Sequence, residues 1–390
     1  MLKKTIFIFI LSVFLCFNII ARADMVLQSS SAVLVDAKTK TVLYAKDENL
    51  IAIPASVTKI MTMLLVLKAV DEGKITLQDE VTISEYASKM GGTQLYIESG
   101  EKRKVDELMY GVAVESANDA ATALGEYVAG SNENFVKMMN EEAKNLDMKN
   151  TVFKNANGLP EEGHVTTAYD IALMSCELVK YEKIFDYTKT WMIDIKVGLN
   201  NDKNRTLANT NKLLKRDSAV DGLKTGYTTE AMYCMSCTKK QGDMRLISVV
   251  MHAPSSEVRF NEALQLLNYG FSNYTGKYYV KKNEKIGDVI VNKGKDLTVE
   301  AIADSDIYDI IEKGGEEDAD IVIALDEKIN APVSKGDILG TVIVKKNDVE
   351  IGECSLIAKT SIDKLNIFRY VIRNIQIFFS YGQSLTESTT

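Results

Sequence analysis

Histidine is nearly missing from this chain: only His164 and His252 occur in 390 residues. A Ser-His-Asp hydrolase needs a histidine base, and these two sit in a loop and at the end of a predicted strand. Cysteine is scarce as well. Of five cysteines, Cys16 lies in an N-terminal apolar run. Cys176, Cys234, Cys237 and Cys354 are too few and too scattered for a disulfide scaffold. Cys234 and Cys237 fall in a predicted strand, where side chains three apart point to opposite faces. Two thiols without a second ligand pair also make a poor zinc site. Buried free thiols are the expectation, with no metal and no cofactor. Positive charge is in deficit: 46 Lys and Arg against 54 Asp and Glu give a net charge of −8. That balance argues against nucleic acid as a partner. Low-complexity tracts and internal repeats are missing too.

What remains is ordinary globular material, 46% hydrophobic and 26% charged, long enough for two domains. The N-terminus is a separate object. Lys3-Lys4 precede an apolar run from Thr5 to Ile20, which ends at Ala21-Arg22-Ala23. This is the pattern of an export signal cut before Asp24. The run is shorter than the ~20 residues a spanning helix requires. Its loss would leave 43 basic against 54 acidic residues, a net charge of −11.

Ser56-Val57-Thr58-Lys59 precedes Ile60 to Leu67, a run apolar almost all round, which predicts a buried helix ending near Gly73. Lys59 on such a helix is pushed towards its neutral amine. Ser56 lies three residues earlier on the same face, so a hydroxyl sits beside a base. A capped helix with a snorkelling lysine would show the same four residues, so the motif needs company. Two segments supply it. Ser116-Ala117-Asn118 falls at a break between predicted helices, where side chains project into a cleft. Lys224-Thr225-Gly226 opens a strand with a cation, a hydroxyl and a residue that permits close backbone approach. Ser-x-x-Lys, Ser-x-Asn and Lys-Thr-Gly in this order mark serine β-lactamases and penicillin-binding proteins.

Strands come first (Ala32 to Asp36 and Thr41 to Ala45), then a helical block. Residues from Asp221 to Thr238 and from Met244 to His252 read as a hairpin. A helix capped by Ser255-Ser256 and stopped by Gly270 follows. The pattern predicts an α+β domain, an antiparallel sheet with helices on its faces. After about residue 275, short alternating runs predict a small all-β domain. In the tail, Leu365, Phe368, Val371, Ile372, Ile375, Phe378 and Phe379 share one helical face opposite Arg369 and Arg373. Such a helix suits a membrane surface.

With the three motifs in place, the chain from about residue 28 to 360 resembles a low-molecular-weight penicillin-binding protein, a serine-type D-alanyl-D-alanine carboxypeptidase. Further matching segments are Gly91-Gly92-Thr93, Asn157-Gly158-Leu159-Pro160, His164 to Ala168, Asn209 to Leu214 and Arg245 to Val250. The resemblance implies the β-lactamase/transpeptidase-like fold, an appended β-sandwich domain and an amphipathic anchor. It implies Ser56 as nucleophile, Lys59 as base and Ser116 as proton relay. Asn118, Lys224, Thr225, Gly226 and Tyr227 would bind substrate, Tyr227 through its backbone N–H, and Arg259 would lie near the terminal carboxylate. The implied partners are stem peptides ending in D-Ala-D-Ala, β-lactams as covalent inhibitors and a membrane surface, at the outer face of the cytoplasmic membrane. The expected division is 1–23 signal, 24–274 catalytic domain, 275–360 β-sandwich, 361–382 amphipathic helix and 383–390 polar tail. A class A β-lactamase shares the triplet but needs a deacylating Glu. Glu161 and Glu162 sit in a candidate loop whose surroundings match the carboxypeptidase pattern instead. A transpeptidase, and a sensor that acylates without turnover, carry the same three motifs.

Overall fold

The computed structural model describes residues 25–315, 318–366 and 368–373. Residues 1–24, which hold the expected export signal, and the tail beyond residue 373 lie outside the described residues. The N-terminal part runs β1 (Ser31–Asp36), β2 (Val42–Lys46), α1 (Lys59–Asp71), β3 (Glu80–Thr82), α2 (Glu85–Ser88) and β4 (Lys102–Lys104). Five helices follow: α3 (Val105–Tyr110), α4 (Asn118–Ala129), α5 (Asn132–Asn145), α6 (Ala168–Leu178) and α7 (Ile184–Thr188). The part closes with β5 (Met192–Val197), β6 (Lys203–Ala208), β7 (Val220–Thr228), β8 (Met232–Gln241), β9 (Met244–Ala253) and α8 (Ser256–Asn273).

Strands β2-β1-β9-β8-β7 form one antiparallel sheet. Alternation along its strands feeds two cores. Val33, Val35, Ile247 and Val249 pack on one face against α1, α4 and α6. Ala32, Leu34, Leu246 and Val250 pack on the other against Phe260, Ala263, Leu266 and Leu267 of α8. Cys234 belongs to the first core and Cys237 to the second, as the period of two requires. Both are buried free thiols, and burial pushes that of Cys234 up to about 11.

Two boundaries differ from the sequence reading. Residues 221–238 are not one strand but parts of β7 and β8, which pair with each other. Their turn, Thr229-Glu230-Ala231, carries no Gly, Pro or Asn signal; the Thr228 hydroxyl closes it by accepting from Ala231 N at 3.0 Å. Gly270 does not stop α8, which continues to Asn273. A Cβ at Gly270 would sit 2.4 Å from Leu246 and 2.8 Å from Leu34. That glycine lets the helix approach the sheet. The cap at Ser255 falls where expected, its side chain accepting from the N–H of Val258, and Ser131 and Thr167 likewise accept from the N–H of Asn134 and Asp170.

The chain then enters β10 (Tyr274–Val280), β11 (Lys285–Asn292), β12 (Thr298–Ala303), β13 (Ile307–Glu312), β14 (Asp320–Leu325), β15 (Lys328–Asn330), β16 (Ile338–Lys346) and β17 (Val349–Ala358). A six-stranded sheet (β14-β16-β17-β12-β11-β15) and the β10-β13 pair enclose a third core around Val289, Val299, Val342 and Leu356. Strands β13 and β17 are hard to read in the sequence because Asp309, or Gly352 and Ser355, interrupt their alternation, and β15 is hard to read because it has only three residues. The two parts are joined by side chains. Tyr308 donates to Asp36 at 3.2 Å, and Lys38 pairs with Asp306 at 2.5 Å while lying 4.2 Å from the Tyr278 ring centre. No helix among the described residues is long and apolar enough to cross a membrane.

Candidate active site

The Ser-x-x-Lys motif does not begin as an α-helix. Ala55–Thr58 is a 3-10 turn, and α1 starts at Lys59. A 3-10 turn brings side chains i and i+3 into register, which stacks Lys59 under Ser56. Lys59 is fully buried. Its Nζ donates to Ser56 Oγ at 3.0 Å, to Asn118 Oδ1 at 2.6 Å and to the Asn157 carbonyl at 2.5 Å. Burial, and then the charge of Lys224, hold the amine well below its ordinary range; the carboxylate of Asp119 opposes them. A lysine so placed can reside as the free amine and take a proton.

The opposing wall is a break in the helical block. After α3 the chain makes a π-helical turn, Gly111–Glu115, and Ser116 takes the left-handed conformation at φ 69°. That interruption leaves Ser116 and Asn118 buried at the N-terminus of α4. Asn118 donates through Nδ2 to the Gly91 carbonyl at 2.7 Å, and its N–H bonds to Thr93 O at 2.8 Å. Gly92 adopts φ +73°, and a Cβ there would meet Asn118 Nδ2 at 2.7 Å. The Gly91-Gly92-Thr93 segment is therefore a cradle for the asparagine. Lys59 makes its three bonds to Ser56, Asn118 and Asn157, and none of these goes to Ser116.

Strand β7 closes the third side. A Cβ on Gly226 would lie 3.1 Å from the backbone N of Ser56 and 3.2 Å from Pro54 O, so glycine is what lets this strand meet the nucleophile turn. Lys224 is almost wholly buried, and its Nζ donates to Thr225 O at 3.0 Å. Burial, with the Arg259 charge second, lowers its ammonium to about 7. Thr225 Oγ1 donates to Thr210 Oγ1 at 2.7 Å. Tyr227 is 55% exposed and stacks on Tyr233 with ring centres 4.5 Å apart. Arg259 is buried on α8; it donates to Gly226 O at 3.1 Å, to Cys234 O at 3.4 Å and to Ser256 Oγ at 3.2 Å. Its guanidinium thus bridges backbone carbonyls of β7 and β8, and burial lowers it to about 10.

The fold brings the three motifs around one lysine. It also recruits groups that the sequence reading did not name as functional: the Asn157 carbonyl, Thr210 and Asp119. Asp119 is buried and accepts from the N–H groups of Leu95 and Ile97. Gly158 carried the one available signal for the first. Its φ is +83°, and a Cβ would sit 1.9 Å from Ala55 O, so Asn157-Gly158 is a turn pressed onto the nucleophile.

Residues 19–255 match the family model described as D-alanyl-D-alanine carboxypeptidase. Residues 274–364 match the penicillin-binding protein 5 C-terminal domain. Over 355 residues the chain is 42% identical to D-alanyl-D-alanine carboxypeptidase DacF of Bacillus subtilis, covering 90% of each. Its fold is similar to penicillin-binding protein 3 of Streptococcus pneumoniae, a peptidoglycan synthesis regulatory factor (TM-score 0.70, 28% identity, 87% of this chain and 100% of that one). It is also similar to penicillin binding protein 5 of Haemophilus influenzae (TM-score 0.68, 28% identity, 87% and 99%). A half-buried serine bonded to a buried lysine in this fold, with these relatives, leads to one conclusion: the chain belongs to the D-alanyl-D-alanine carboxypeptidase family and is a serine-type D-Ala-D-Ala carboxypeptidase.

Proposed function

We propose that the enzyme trims the terminal D-alanine from peptidoglycan stem peptides through an acyl-enzyme on Ser56. The observation that carries this reading is the 3.0 Å contact between Lys59 Nζ and Ser56 Oγ, with the amine held among buried acceptors. As a free amine, Lys59 receives the hydroxyl proton while Oγ bonds to the carbonyl carbon of the penultimate D-alanine. The N–H groups of Ser56 and Tyr227 stabilise the oxyanion; the close approach of Gly226 to Ser56 supports this pairing. The C–N bond then breaks as the Ser116 hydroxyl gives its proton to the leaving amine and takes in return the one that Lys59 received, which restores both groups. Asn118 holds the peptide amide. Lys224 and Thr225 hold the terminal carboxylate, with Arg259 behind them as the brace of Gly226. Water hydrolyses the ester and restores Ser56. β-Lactams acylate the same oxygen.

We place this activity outside the cytoplasmic membrane, after removal of residues 1–23. Residues 24–274 are the catalytic domain, 275–360 the β-sandwich, 361–382 the membrane-associating segment and 383–390 a polar tail; Ile362 and Lys364 still bridge to Val333 and Gly294, so the helix expected from residue 361 begins only after them, at 368 among the described residues. The exposed Phe368, Val371 and Ile372 at the start of that helix support the assignment. Incubation with a peptide ending in D-Ala-D-Ala should release D-alanine, and a labelled penicillin should leave a long-lived adduct on Ser56. Rapid penicillin hydrolysis without peptide turnover would instead identify a β-lactamase, and an adduct without either turnover a sensor. Protein ending at Lys364 should turn over peptide equally well but leave lipid vesicles; unchanged partitioning would refute the anchor.

The pH dependence follows from the two lysines. Below the range where Lys59 loses its proton it cannot act as base, so kcat/KM falls towards acid. Above about 7 Lys224 loses its charge and no longer matches a carboxylate, so kcat/KM falls again. A bound carboxylate holds the Lys224 proton, so the alkaline limb of kcat should lie higher than that of kcat/KM. Lys224→Arg should remove the alkaline limb, and a limb that survives this change would assign it to another group. Because the charge of Lys224 acts on Lys59, both limbs belong to the pair.

A further inference from the structure

We propose that His164 is a positioning residue for the serine–lysine pair, locking the nucleophile turn to the loop that supplies the Asn157 carbonyl. His164 is 2% exposed and Thr58 wholly buried, and His164 Nε2 lies 3.1 Å from Thr58 Oγ1. Thr58 is the last residue of the 3-10 turn between Ser56 and Lys59. The ring also meets Phe153 edge-on, with centres 5.9 Å apart.

Three other contacts show what this bond is placed to hold. Ala52 and Thr166 exchange backbone hydrogen bonds of 2.8 and 2.9 Å, which tie the end of the loop to the chain just before the turn. Asn157 O accepts from Lys59. Gly158 packs directly on Ala55 O. The loop therefore touches the residues on both sides of Thr58, and His164 adds a side-chain tie at Thr58 itself. The 3-10 geometry aligns Ser56 with Lys59. A turn relaxed towards α-helix would swing the two side chains about 60° out of register, since α and 3-10 turns differ by ~20° per residue over three residues. Burial, with the charge of Lys154 second, lowers the His164 imidazole to about 4. The ring is thus neutral at working pH and can share one proton with the Thr58 hydroxyl.

This inference rests on Ser56 and Lys59 being the reacting pair, and the test separates the two. In the full chain, His164→Phe keeps an aromatic ring but deletes the hydrogen bond, and Thr58→Val deletes the same bond from the other side. His164→Gln keeps a polar group near the Nε2 position. Each variant is assayed for kcat, KM, penicillin acylation rate and Tm. Misplacement of reacting groups by about 1 Å costs up to ~100-fold, so His164→Phe and Thr58→Val should each lower kcat and acylation about tenfold or more. KM should stay within about twofold, the double variant should be no worse than either single, and His164→Gln should restore most of the loss. Unchanged kcat in folded Thr58→Val would overturn the proposal. So would losses that multiply in the double variant, or a His164→Gln protein as slow as His164→Phe. If Ser56→Ala retains turnover, the serine mechanism itself fails; if only the His164 and Thr58 variants are unimpaired, the mechanism stands and this inference falls.

Discussion

Replacing Ser56 by Ala is expected to lower D-alanine release by about 10⁴-fold or more, the scale seen when a nucleophile is removed from a serine hydrolase. KM should move little, because Lys224, Thr225 and Asn118 remain in place. Lys59→Ala should have an effect of the same order for a different reason. The Ser56 hydroxyl survives, but the buried amine that accepts its proton is gone, and Asn118 Oδ1 and Asn157 O lose their donor. Since serine and lysine act as one unit, the double variant should be about as slow as either single. The check is peptide turnover together with intact-mass detection of a penicillin adduct: no adduct on Ser56→Ala, and very slow adduct formation on Lys59→Ala. Losses that multiplied would mean two separate roles.

Lys224→Ala is the second large effect. Truncating one member of a buried charge pair costs about 2–5 kcal/mol, which is roughly 30- to 4,000-fold in kcat/KM for a substrate with a free terminal carboxylate. The same change should barely affect a peptide whose terminus is amidated, because that substrate never offered the charge. Loss of the Lys224 cation also removes the second largest influence lowering Lys59. The Lys59 amine then holds its proton to higher pH, and the acid limb of kcat/KM should move upward. Equal losses on free and amidated substrates would remove Lys224 from carboxylate recognition.

Much of this site is legible in one dimension. Ser56 and Lys59 are three residues apart on an apolar segment, so their proximity and the displaced protonation of Lys59 follow from local geometry and burial. The helix break at Ser116 and the small residue at Gly226 are likewise local features. So are the caps at Ser131, Thr167 and Ser255, where a single hydroxyl meets an N–H three residues on. Other features were not legible. The turn between β7 and β8 has no glycine or proline to mark it, and Gly270, which looks like a helix stop, is a contact point between α8 and the sheet.

The sequence by itself determined which groups the chemistry can draw on: a serine beside a lysine that burial pushes towards its neutral amine, a second cation on a strand, and no histidine placed as the base of a triad. Only the tertiary structure decided how Lys59 is held. Its partner Asn118 is 59 residues away, and its partner Asn157 is 98 residues away. The Asn157 group is a backbone carbonyl, which every residue carries and no motif reveals. Thr58 and His164 are 106 residues apart, and either alone reads as core. Gly158 could be read as a turn residue, but not as the point where a distant loop reaches Ala55. Local spacing fixes which side chains share a face. Contacts between segments far apart in the chain depend on how the sheet and helices pack, and those contacts set the geometry in which the serine and lysine meet.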